Sequence, residues 1–153
     1  MSYQPSDLTV FDVISDKSLL GGTDYFELHP KEVVKPNSCW LDESVFIRDA
    51  GFDFFCACFE RSVPGFDYFA FARIPQPHLG HLAAELRTFI HQCRTKPDRP
   101  TLFSRYASLF KQDIWEEVGT EQLRGPIIAA GEKIERFIMT ASKASGIVWV
   151  MGM

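Results

Sequence analysis

Three residues with chemical potential lie close together in the chain: His78, His81 and Glu85. At helical periodicity they share one face of a helix, beginning in its first turn. Two imidazoles and a carboxylate can hold zinc with one position left open, which would make the segment the centre of a small metal-dependent hydrolase. The spacing is H-x-x-H-x-x-x-E rather than H-E-x-x-H, no fourth ligand suggests itself, and solvated helix faces often collect such residues. The cluster is therefore the alternative reading, and no cofactor is expected.

The four cysteines invite other chemistry. Cys56 and Cys58, two apart on an expected strand, are too far separated for a disulfide and read as small core residues. Cys93 falls on the apolar stripe of a helix and is expected in the core, which leaves a Cys–His–Asp set with His91 or His29 weakly supported. Cys39 follows Pro36-Asn37-Ser38 and is expected to be exposed. The cysteine spacing matches no disulfide framework, and the N-terminus lacks the basic flank and apolar run of an export signal, so free thiols and a cytoplasmic location are expected. A P-loop, G-x-G-x-x-G, G-x-S-x-G, C-x-x-C and EF-hand loop are all missing.

Charge is the stronger signal. The net charge is −4, but residues 1–60 hold eleven acids against four bases, and the remainder nine acids against twelve bases. A basic run between Arg87 and Lys111 does not make a nucleic-acid footprint in a chain with pI near 5.5. The acidic first part fits a basic protein partner, met through Trp40, Asp42, Glu43, Asp49 and Asp53.

These residues need a scaffold. A chain of 153 residues is the size of one domain that buries roughly 70% of its unfolded surface, and charges interrupt every apolar run before bilayer length. Residues 1–43 read as largely irregular, with a short element near Leu8–Ile14. Ser44–Arg48 and Phe52–Glu60 read as a hairpin about Asp49-Ala50-Gly51, and Phe66–Ile74 as a third strand after the turn Ser62-Val63-Pro64-Gly65. Gly51-Phe52-Asp53-Phe54-Phe55 and Gly65-Phe66-Asp67-Tyr68-Phe69 then read as two strands that each leave a glycine turn. Amphipathic periodicity predicts helices over about 77–94, 102–112 and from Gly125-Pro126 to Gly146, with Gly131 on the packed stripe of the last. Ile147–Met151 returns as a strand. The expected fold is a single α+β domain over 1–153: a mostly antiparallel sheet, with a meander at 44–74 and a strand at 147–151, and three helices on one face.

In size, acidity and lack of catalytic motifs the chain resembles bacterial immunity proteins, which block a toxic domain in the cell that makes it. That likeness implies an inhibitor that neutralises a basic partner and is not itself an enzyme. A homodimer closing the open sheet face, or pairing Ile147–Met151 as an edge strand, is a further expectation.

Overall fold

The computed structural model of the chain describes residues 9–33, 39–95 and 120–152. The expected helix at 102–112 lies outside the described residues. Four strands form one sheet: β1 (Tyr25–His29), β2 (Val45–Arg48), β3 (Phe71–Pro75) and β4 (Ile147–Met151). Their order is β2-β1-β4-β3, with every neighbouring pair antiparallel. Among the described residues, four α-helices accompany them: α1 (Asp49–Phe52), α2 (Cys56–Ser62), α3 (His78–Thr95) and α4 (Thr120–Ala144). The fold is α+β, as the order of elements in the sequence implies.

Alternation along each strand decides which face meets the helices. Phe26, Leu28, Ile47, Ile74, Val148 and Val150 point to one side, where they join Phe52, Phe59, Leu82, Leu86, Ile134 and Ile138 in one core. Tyr25, Glu27 and His29 on β1 and Trp149 on β4 point to the other side, which is helix-free among the described residues. Aromatic contacts bind the layers: Phe26 stacks on Phe52 at 4.0 Å, and Phe55 meets Phe89 edge-on at 5.5 Å. Each fully buried phenylalanine contributes about 1.5–3 kcal/mol through its apolar area.

The meander is not formed. Residues 49–62, expected to turn and then run as a strand, make α1 and α2, and 66–70 are turns, so β3 starts only at Phe71. The physical reason is burial on every side. Phe52, Phe54, Phe55, Cys56, Cys58 and Phe59 are all buried, and a continuous apolar run has no periodicity to separate strand from helix. Helical and turn bonds, Asp53 N–H to Asp49 O (3.0 Å) and Phe55 N–H to Phe52 O (2.8 Å) among them, satisfy this interior backbone locally. The two Gly-Phe-Asp segments accordingly share no structure. The partner of β2 is instead β1, inside the region read as irregular, and β4 lies between β1 and β3 rather than at an edge. Near the N-terminus a 3-10 turn spans 9–11, and Ile14 bridges to Phe46.

Gly51 and Gly131 are among the glycines held by close approach. A Cβ on Gly51 would collide with the Val10 carbonyl; one on Gly131 would sit 3.0 Å from Ile90 Cγ1 and 3.2 Å from Phe55 Cε1, the tight packing expected of that stripe. α4 begins at Thr120, ahead of the Gly125-Pro126 signal, and holds Pro126 inside it. Among the described residues, no helix is long and apolar enough to cross a membrane.

Candidate functional site

Glu27 is a charged residue type placed mid-strand on the helix-free face, yet it is only 1% exposed. Burying a carboxylate is costly unless donors surround it. Residues 39–44 fold across the face and supply them: Trp40 N–H donates to Oε1 at 2.6 Å, Leu41 N–H to Oε2 at 2.8 Å and Ser44 Oγ to Oε2 at 2.6 Å. His29, also buried, completes the network, with Nδ1 2.8 Å from Ser44 Oγ. Because the serine proton points to Glu27, the serine oxygen accepts from His29, which assigns the Nδ1–H tautomer. Burial holds His29 below the usual histidine range; Glu27 and Glu43 oppose that shift and Lys31 adds to it.

The loop so held is strained. Trp40 (φ 60°) and Glu43 (φ 72°) occupy the left-handed region without being glycine, at about 1–2 kcal/mol each. Hydrogen bonds to a charged acceptor contribute about 1.5–3 kcal/mol apiece. Three of them on Glu27 outweigh the strain, so the tether sets the loop conformation. The loop presents Asp42 and Glu43 to solvent. Asp42 pairs with Lys17 at 2.8 Å and Glu43 with Lys31 at 2.6 Å, and all four side chains are at least 48% exposed. Lys17 holds the Asp42 carboxyl below its usual range. Trp40 is half-buried, its ring 6.3 Å from that of Phe46.

His29, Ser44 and Glu27 do not make a catalytic triad. Ser44 is 2% exposed, and its proton is directed to the carboxylate rather than to an imidazole base, so a substrate reaches no activated oxygen. Beyond the loop, the same face carries Trp149 between His29 and Arg73 in cross-strand register. Glu32 ties this end together, accepting from Trp149 Nε1 at 3.1 Å and pairing with Arg73 at 2.5 Å.

Of the five residues proposed to meet a partner, the structure unites Trp40, Asp42 and Glu43 only. Asp49 starts α1 at the far end of β2, about 16 Å from Ser44 at the usual strand rise. Asp53 is 1% exposed and cannot be presented at all, because the hairpin that would have displayed it is a buried helical turn. Burial first, then the Asp53 carboxylate beside it, holds the Tyr68 phenol above its usual range. His78 and His81 stand on α3 with ring centroids 6.3 Å apart, but Glu85 is drawn to Arg61, at 3.6 Å. Among the described residues, no three of His, Cys, Asp and Glu are grouped to hold a metal. Of two surface clefts, the one of about 300 Å³ between Phe11 and α4 contains none of the candidate residues, and the one of about 340 Å³ between α3 and α4 is lined by His91 but by none of the others.

No disulfide links the four cysteines: Cys56, Cys58 and Cys93 are buried thiols and Cys39 is an exposed one. Burial pushes the Cys93 thiol up to about 12 and, with Glu60 nearby, raises Cys56 as well. His91 is exposed while Cys93 is buried, and His29 is engaged with Ser44, so no thiol–imidazole pair forms with either. Sequence reasoning missed Glu27 and Ser44, and named His29 only as a possible partner of Cys93. Their signal was a glutamate and a histidine on one face of Tyr25–His29, an apolar-flanked run that alternates as a strand does.

No protein-family model, curated protein or solved structure matches this chain.

Proposed function

We propose that the chain is a protein-binding domain, not an enzyme, which recognises a basic partner through the loop 39–44 and acts as an inhibitor of the immunity-protein kind. The observation that carries this reading is the Glu27 tether, which holds an exposed acidic loop in a strained conformation before any partner arrives. A loop ordered in advance loses little entropy on binding. Trp40 offers a rigid anchor with a polar edge, the side-chain type that dominates interface energetics. Asp42 and Glu43 pair with exposed lysines, which the planar guanidinium of a partner arginine can replace with two parallel hydrogen bonds.

Affinity capture from lysate of the native cell, followed by purification of the retained protein, tests the reading. A basic partner is expected, bound more weakly in high salt and about tenfold or more weakened by the double change Asp42→Lys and Glu43→Lys. Asp49→Lys, at the other end of β2, is expected to leave affinity unchanged. An inhibitor further requires the partner's activity to fall to zero as one equivalent of the chain is added. Binding that survives the double charge reversal would assign recognition to another surface.

A further inference from the structure

We propose that His29 is a proton-sensitive latch on the loop 39–44: taking up a proton, it favours release of Trp40 and Leu41 from Glu27. As regulation of the binding surface this rests on the function proposed above, but the latch is a property of the free chain and is measurable without a partner.

The geometry gives His29 this leverage. It is 7% exposed and lies under the loop, joined through Ser44 Oγ (2.8 Å) to the same Glu27 oxygen that Leu41 N–H reaches at 2.8 Å. Every charged group around it bears on the balance. Glu27 on its own strand and Glu43 from the loop attract the imidazolium, while Lys31, just beyond β1, repels it. On β4 its neighbour is Trp149, whose indole N–H is committed to Glu32, itself neutralised by Arg73. Among the described residues no helix covers this face, and it is the loop that shields the ring. Burial outweighs the two carboxylates in setting how readily the ring accepts a proton. The closed loop therefore binds a proton less well than an open one, and by linkage protonation shifts the population toward open. The left-handed backbone at Trp40 and Glu43 works in the same direction, because opening relaxes it.

Hydrogen exchange of the Trp40 and Leu41 amides in the free protein, corrected for intrinsic rates, tests the latch between about pH 7.5 and pH 5.5. Protection of these two amides is expected to fall about tenfold across that range while staying below that of the Val150 amide, in the sheet interior, so that the fall reports opening of the loop and not of the whole fold. In His29→Asn, which can still donate to Ser44 but does not titrate, the two amides are expected to show no such fall. Protection independent of pH in the natural chain, or an equal fall in His29→Asn, overturns the proposal. Should that variant not fold, the imidazole titration of His29 in the natural chain decides: a midpoint below the ordinary 6.5 supports the latch, and one equal or higher overturns it. Loss of charge-dependent capture with the latch intact would instead remove only the binding function.

Discussion

Glu27 is the residue on which the helix-free face depends, because one carboxylate satisfies two loop amides and a buried hydroxyl. Glu27→Gln keeps the shape but removes the charge and turns a donor toward other donors. It is expected to lower unfolding free energy by about 2–4 kcal/mol in chemical denaturation. Ser44→Ala, which strands His29 and removes one donor, is expected to cost less, about 1–2 kcal/mol. His29 contributes a pH dependence of definite sign. Its folded pKa lies below the ordinary 6.5, so on acidification the unfolded chain takes up the proton first. Stability is therefore full above 6.5 and falls as pH drops from there toward the folded value, a slope that unfolding curves of His29→Asn should lack. Thiol chemistry separates the four cysteines: a thiol reagent is expected to modify Cys39 quickly in the native protein, and Cys56, Cys58 and Cys93 only after denaturant is added.

At the scale of elements, α3 and the last helix were readable because each has one period and one wet side, and β4 because a short apolar run of strand residues follows the helix stop at Gly146. Leu79, Leu82, Leu86, Phe89, Ile90 and Cys93 all enter the core from α3 as their spacing predicts. α1 and α2 were not readable, since Phe52–Phe59 is apolar in both the strand and the helix repeat and lies where tertiary packing alone decides. β1 was missed for a related reason: Glu27 and His29 suggest a wet face until the covering loop is known. The acidic cluster was therefore only half legible. Composition located Trp40, Asp42 and Glu43, but it could not show that Asp53 is interior or that β2 separates Asp49 from the loop. Glycine substitutions test the helix assignments in opposite directions. Gly80→Ala in α3 meets nothing within 4 Å and is expected to raise stability by up to about 1 kcal/mol. Gly131→Ala drives a methyl group toward Ile90 and Phe55 and is expected to lower it by about 1–3 kcal/mol.

Across the whole molecule, the negative charge of the first sixty residues is partly spent within the fold. Asp24, Glu32, Asp42 and Glu43 each pair with a lysine or arginine, and Glu27 and Asp53 are buried. What the proposed partner would meet is therefore a shaped loop more than a diffuse field, since among the described residues the helices pack one side of the sheet and the tethered loop crosses the other. Photocrosslinking from position 40, in the native cell, tests that division most directly. A probe replacing Trp40 should give one discrete adduct with a basic protein, abolished by Asp42→Lys with Glu43→Lys, while the same probe at Thr88 on α3 gives none. Adducts formed equally from both positions, or unaffected by the charge reversal, would contradict the assignment of recognition to the loop.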